Sequence, residues 1–331
     1  MSTTTAPRPD AAAGPGAPAR IRLTFAGVLR SEWIKFRSLR SNWVLLGVAL
    51  LLALGFAALS ASSALTFVRV SEEAAQQQID QALGGRSAEE AGLTDEELER
   101  QRNELVAEQD ARMTGGSGPE LPEGTSFGEY VAMNSANGGL QLAVLLVGAL
   151  AVLFIGSEYA TGSIRSTMTA VPRRTPALVA KVVVLSAVGL LFGVLSATAA
   201  HLLVQPILAV EDLGYDLWQE AVLLNILAVG LFYTITTWMG FGLGALLRST
   251  TWGVVVLVVL LFVLEIVLFV LSFDWLDDVR PWSPSSAGSE LTTMYQSADA
   301  AFDHVQSGLV HAGWGLLLVL AGILATRRRP L

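Results

Sequence analysis

Six long apolar runs constrain this chain more than any other feature. They cover about Trp43–Ser60, Gly139–Ser157, Ala177–Val204, Ala221–Leu247, Gly253–Phe273 and Leu309–Thr326. A helix needs roughly 18 or more apolar residues to cross a bilayer. The runs are continuous rather than alternating, which disfavours a barrel of strands. The expected fold is an all-α polytopic membrane protein with six transmembrane helices. Composition leads the same way. Charged residues make up 15% of the chain and hydrophobic ones 52%, whereas a soluble domain carries about 25% charged. Such a chain can neither clothe a water-facing surface nor stay disordered. The first run is followed by Ala61-Ser-Ser-Ala64, which resembles a signal-cleavage site, but the run is too long for a signal and some 40 residues precede it.

The charges give the runs an orientation. Basic residues cluster before the first run (Arg8, Arg20, Arg22, Arg30, Lys35, Arg37, Arg40), between the second and third (Arg165, Arg173, Arg174, Lys181), after the fourth (Arg248) and at the end (Arg327, Arg328, Arg329). That places fifteen on one side and six on the other. The positive-inside rule then sets both termini in the cytoplasm of a cell-membrane protein, which requires an even number of spans. The net charge of −8 is thus a dipole: about +12 inside and −19 outside, with Glu265 alone between. The basic face suits anionic lipid, and no nucleic-acid partner is expected.

Residues 1–20 are rich in Ala, Pro, Gly and Thr and read as a disordered tail. Residues 61–138 form an acidic extracytoplasmic loop with fifteen acids and five bases. Within it Thr94-Asp95-Glu96-Glu97 is a capping box that opens a helix, with Leu98 and Leu105 one heptad apart. The helix should stop before Gly115-Gly116-Ser117-Gly118-Pro119. The loop reads as a solvated helical excursion, or else as a cap or docking surface.

Catalytic chemistry is not expected of this chain. Cysteine is absent, the three histidines lack ligand spacing, and there is no phosphate-binding G-x-x-x-x-G-K-[ST], H-E-x-x-H or G-x-S-x-G. No metal or cofactor site follows. Arginine outnumbers lysine 19 to 2, which reads as GC-rich codon usage.

Two segments on the basic side carry more. Residues 21–40, IRLTFAGVLRSEWIKFRSLR, form an amphipathic helix. At 100° per residue Ile21, Phe25, Val28, Leu29, Trp33, Phe36 and Leu39 share an arc of about 140°. Arg30 and Arg37 point away from it. Glu32 interrupts the arc and Ile34 lies outside it. Such a helix lies in the membrane interface, either as a topology anchor or as a contact for a partner. The second segment, 158–174, joins the second and third runs. Glu158 leaves the membrane, Gly162 permits a sharp bend, and Ser163 can cap a short helix. Pro172 would end that helix, and Arg173 and Arg174 would hold the chain at the headgroups.

Glu158-x-x-x-Gly162-Ser163-Ile164, then Pro172-Arg173-Arg174 and Lys181, resembles the E-x-x-x-G-[ST]-[LI], P-x-[RS] and K signature of ABC exporter permeases of the type-2 membrane-domain family, a bacterial group. Ser31-Glu32-Trp33-Ile34-Lys35-Phe36-Arg37-Ser38-Leu39-Arg40 is similar to the helix before their first span. Ala245–Thr250 resembles their link between spans four and five, and Pro284–Gly288 their external turn between spans five and six. The resemblance implies a permease that pairs with a second copy, as homo- or heterodimer, and docks a separate ATPase subunit. It implies ATP and Mg bound only by that ATPase. Residues 158–170 would be the coupling helix, with Glu158, Tyr159, Gly162, Ser163, Ile164, Arg165, Thr167, Pro172, Arg173 and Arg174 in or beside the contact. Residues 21–40 would be the connecting helix, with Glu32, Trp33, Lys35, Phe36, Arg37 and Arg40 as its marked positions.

Other features fit packing. A carboxylate near mid-span costs about 2.5–3.5 kcal/mol on insertion scales, so Glu265 should face protein or water, as a packing residue between helices or a contact in the pathway. Gly240-x-Gly242-x-Gly244 is a face for close helix approach. His201, Gln205 and Pro206 should be solvated at the outer interface, and Trp282 and Trp314 should anchor there. Two other classes compete with a transporter subunit: a membrane sensor or scaffold, and an ion-coupled secondary transporter, which would show repeats and broken helices.

Overall fold

The computed structural model describes residues 24–87, 89–113, 126–164, 174–271, 273–294, 296 and 300–328. The tail 1–20, the Gly115–Pro119 stretch, and Arg165, Thr167, Pro172 and Arg173 lie outside these. Every regular element among the described residues is helical.

Helix α1 (Phe25–Ser38) is capped by Thr24, whose hydroxyl accepts from Gly27 N–H at 3.2 Å. Leu39 is extended and breaks the chain into α2 (Arg40–Leu83). Next come α3 (Asp95–Met113), α4 (Phe127–Asn134), α5 (Leu140–Ala160), α6 (Arg174–Leu208) and α7 (Glu220–Leu247). Helix α8 (Thr250–Val258) runs through a π-helical turn, Val259–Val263, into α9 (Leu264–Val270). Short helices α10 (Asp274–Val279) and α11 (Pro284–Thr292) precede the last long one, α12 (His304–Arg328). Six helical stretches are long and apolar enough to cross a membrane: α2, α4–α5, α6, α7, α8–α9 and α12.

The bundle is built around α7, which packs on α5, α6, α8 and α12. Of its most apolar stretch 67% is buried inside the chain, against 22% for α2 and for α8–α9. The glycine face explains how α7 accommodates so many neighbours. A Cβ on Gly240 would overlap the Gly148 carbonyl of α5, and one on Gly242 would overlap Leu318 of α12. Successive glycines thus let two helices approach α7 from different sides.

Helix α2 departs from the expected first span. Its apolar run ends near Ser60, yet the helix continues to Leu83, 44 residues in all. Residues 61–83 contain no proline or glycine, and the helix stops only where Gly84 takes a left-handed φ of 58°. At 1.5 Å per residue, α2 is roughly 66 Å long, about twice the hydrocarbon thickness. Its upper half is a stalk. Ala57, Ala61, Ala64, Val68, Ser71, Ala75 and Ile79 form one buried seam along it, and the small residues at 61 and 64 pack under α4. Helix α3 folds back along the stalk. It opens on the capping box, where Thr94 N–H donates to Glu97 Oε2 at 2.9 Å and Glu97 N–H to Thr94 Oγ1 at 3.3 Å. Asp110 pins its other end, accepting from Ser71 O–H and from Phe127 N–H, both at 2.7 Å.

Candidate functional site

The site lies where α1, α5 and α6 meet, at the end of the bundle opposite the stalk. Val28, Glu32 and Phe36 of α1 are spaced four apart, form one stripe, and are buried. The stripe faces α6: Val28 and Leu29 pack with Ala177 and Ala180. Phe36 meets Phe154 of α5 edge-on at 5.7 Å. Part of the apolar arc of α1 (Val28, Leu29 and Phe36) is therefore turned toward protein while Phe25, Trp33 and Leu39 stay exposed, and Glu32, which interrupted the arc, sits in its buried part.

Glu32 is buried because Lys181 of α6, with no exposed surface, waits beneath it. Lys181 Nζ donates to Glu32 Oε2 at 2.5 Å and to Glu158 Oε1 at 2.6 Å, and lies 5.0 Å from the centre of the Phe154 ring. Lys35 closes the figure from the rim, donating to Glu32 Oε1 at 2.9 Å and to Glu158 Oε1 at 3.1 Å. Two ammonium groups face two carboxylates, so the quartet is formally neutral. Neutrality matters because an uncompensated charge away from water costs several kcal/mol. Burial disfavours the charge on Lys35, but its hydrogen bond to Glu32 and the attraction of Glu158 and Glu32 outweigh that and raise its pKa above the ordinary lysine value. Glu158 Oε2 is buried and accepts no hydrogen bond among the described residues.

Lysine suits this enclosure better than arginine. An ammonium is compact and can aim three donors around one point, whereas a guanidinium needs a planar slot. The quartet uses the only two lysines in the chain. Nineteen arginines stand against these two, and both exceptions fall at this junction. That imbalance, with an acid in the middle of an apolar arc, is the signal from which the pairing could have been found.

Tyr159 turns to the other side of α5. Its hydroxyl is 2.8 Å from Thr326 Oγ1 of α12, and the Arg248 guanidinium lies 5.6 Å from its ring centre. Arg248 caps α7, in a left-handed conformation with φ 52°. Glu158 and Tyr159 thus tie the end of α5 to α1, α6, α7 and α12 within two residues. Helix α5 then stops at Ala160, and Gly162 bends the chain at φ 71°, a region that favours glycine. Ser163 begins a new helical turn, and Ile164 is buried with Phe36 and Phe154.

The other marked positions scatter. Trp33 is partly exposed and stacks on Phe36 at 6.0 Å. The Arg37 carbonyl accepts from Trp43 Nε1 at 3.1 Å. Arg40 opens α2 and Arg174 opens α6. Glu265 lies at the opposite end, accepting from Ser286 O–H at 2.8 Å and Ser283 O–H at 3.1 Å. His201 is fully buried rather than solvated, because Tyr215 and Asn225 supply the polar partners that water would have given, at 2.7 and 3.1 Å.

Comparisons with known proteins place the chain. No curated protein and no solved structure matches it. The sequence model of a family described as ABC-2 family transporter protein matches residues 28–324, from α1 to the last turns of α12, and so takes in the junction just described. The chain belongs to the ABC-2 family, the multi-pass membrane permeases of ABC transporters.

Proposed function

We propose that the chain is an exporter permease that works as a pair of copies, with a separate ATPase holding ATP and Mg. The α1 end faces the cytoplasm of the cell, and the stalk faces outward. The observation that carries this reading is the ionic quartet, because it fastens together the two segments that the ATPase would touch. The loop that starts at Glu158 receives the push. Lys181 donates to both Glu158 and Glu32, so α1, α5 and α6 move as one body. Tyr159 passes the same displacement to α7 and α12 through Arg248 and Thr326. Glu158, Tyr159, Gly162, Ser163 and Ile164 form the root of the coupling element, and Arg165, Thr167, Pro172, Arg173 and Arg174 complete it. Trp33, Arg37 and Arg40 hold α1 at the lipid headgroups, while Glu32, Lys35 and Phe36 bind it to the bundle.

The test uses the tagged full chain, the ATPase that co-purifies with it, and ATP hydrolysis by the complex in liposomes. Gly162→Pro or Arg165→Glu should abolish co-purification, because both act on the docking element. Lys181→Met should leave some co-purification but lower liposome-stimulated hydrolysis by about tenfold or more, the scale set by a lost buried charge pair. Undiminished co-purification in the loop variants, with wild-type hydrolysis in Lys181→Met, would refute the assignment.

A further inference from the structure

At the stalk-side end of the bundle, α4, the first turn of α5 and α11 enclose a cavity of about 170 Å³. Tyr130 and Leu140 supply the apolar part of its wall. Every other side chain that lines it is an amide or a hydroxyl, and no lining residue carries a charge. Three of these polar groups are not used by the fold. Asn137 Nδ2 donates to Thr292 C=O at 2.6 Å and to Asn225 Oδ1 at 3.3 Å. Those bonds fix the amide and leave Asn137 Oδ1 as an acceptor with no donor among the described residues. The Gln141 amide and the Ser289 hydroxyl likewise have no hydrogen-bond partner among the described residues. Asn137 and Gln141 are half-buried, and Ser289 is exposed, so the cavity can be entered from outside the bundle.

We propose that this cavity is a binding site for a neutral, hydroxyl-rich group the size of one sugar ring, with Asn137, Gln141 and Ser289 as its polar contacts. Size sets the first limit. Liquid water takes about 30 Å³ per molecule, so the cavity has room for about five. That is well under the roughly 300 Å³ at which pockets for drug-sized molecules begin. The absence of charge in the lining sets the second limit, because an ion held among neutral groups without a counter-charge is costly. Hydrogen-bond chemistry sets the third. A hydroxyl both donates and accepts, so it satisfies Asn137 Oδ1, which only accepts, and Ser289, which does either. The Gln141 amide carries a donor and an acceptor side by side, a pattern that two neighbouring ring hydroxyls complete. An apolar ligand would leave all three groups unpaired. A bound ring would bridge α4, at the root of the stalk, to α5 and α11.

The chain has no cysteine, so Thr293→Cys places a single thiol in the cavity wall and keeps all three contacts. Its reaction with a membrane-impermeant maleimide is followed in the full chain in phosphatidylcholine liposomes. Methyl α-glucoside should protect the thiol, slowing labelling about tenfold at about ten times its half-protecting concentration. Glucose 6-phosphate should give no protection. Adding Gln141→Leu should raise the half-protecting concentration of the glucoside about tenfold, the scale of two neutral hydrogen bonds. Liposomes that contain monoglucosyl diacylglycerol, with no free sugar, separate the sources: protection there assigns a lipid headgroup, and protection by the free glucoside alone assigns a soluble ligand. No protection by either, or equal protection by the phosphate ester, would overturn the proposal. So would a half-protecting concentration that Gln141→Leu leaves unchanged. A thiol at the buried core position Val152 reports on folding. If it reacts in the Gln141→Leu background, Ser289→Ala at its exposed position decides, with an expected rise of about threefold; no rise would overturn the site. None of these readings involves the ATPase, so failure here is separate from failure of the permease reading, which is read by ATP hydrolysis.

Discussion

Two polar assemblies sit at opposite ends of one apolar bundle, and they use different chemistry. At the α1 end four charges are gathered on two lysines and two glutamates, with Lys181 fully enclosed. At the stalk end the last carbonyls of α11 are held by the side-chain amides of Asn137 and Asn225. Separating buried charges is expensive because water cannot quickly take their place. Separating an amide from a carbonyl costs less, because a neutral hydrogen bond is weaker than one between charged groups. The two ends therefore differ in how strongly their polar groups are held.

The strongest way to break the comparison is to remove Lys181. Lys181→Met keeps most of the volume but leaves Glu32 and Glu158 facing each other beneath α1. The expected loss is about 3–5 kcal/mol, read as a drop in the unfolding midpoint of the purified chain in detergent. Lys181→Met with Glu32→Gln should lose less than the two single changes added together, because the second change removes a charge that the first left uncompensated. Strict additivity would mean that the quartet is not a unit.

At the other end Asn225→Leu should cost less, about 1–3 kcal/mol. It strips one donor from Thr292 C=O and one partner from His201 Nε2, but Asn137 still reaches the same carbonyl at 2.6 Å. The same melting measurement compares the two ends directly. A loss equal to that of Lys181→Met would remove the distinction between the ionic and the neutral assembly.

The stalk gives a smaller, local effect. Asp110→Ala removes the acceptor that holds Ser71 and the first N–H of α4, for about 1–2 kcal/mol. It should loosen α3 without touching either end of the bundle. Limited proteolysis should cut residues 84–94 faster while the global midpoint hardly moves.

The sequence carried the spans well because each is decided by a local sum of transfer energies, and the cap at Thr94 because it is a local hydrogen bond. It carried the length of α2 poorly. Hydropathy falls at Ser60, but helicity does not depend on hydropathy, and only Gly84 supplies a reason to stop. The junction was half legible. Glu158, Gly162 and Lys181 stood out as a motif, yet Lys181 is 23 residues from Glu158 and 149 from Glu32, and no periodicity spans such gaps. Glu32 looked like a flaw because one helix was being judged without the helix it packs on. The amides of Asn137 and Asn225 had no legible signal, since they bind backbone, and backbone is the same at every residue.

Lys35 sharpens the comparison from within the quartet, because it makes the same bonds as Lys181 from a position 37% exposed. Water and salt reach it, so its contribution should be the smallest and the easiest to screen. Its folded pKa is raised above 10.5. Its stabilising effect is therefore complete below 10.5, the unfolded value, and is lost as pH rises through the higher folded value. The melting difference between the unaltered chain and Lys35→Gln should be constant from about pH 7 to 10 and shrink only in stronger alkali. Added salt should narrow that difference and leave the Lys181→Met difference almost intact, because ions screen exposed charges far better than enclosed ones. If salt narrows both equally, Lys181 is as open to solvent as Lys35, and the rigid link at the α1 end loses its physical basis.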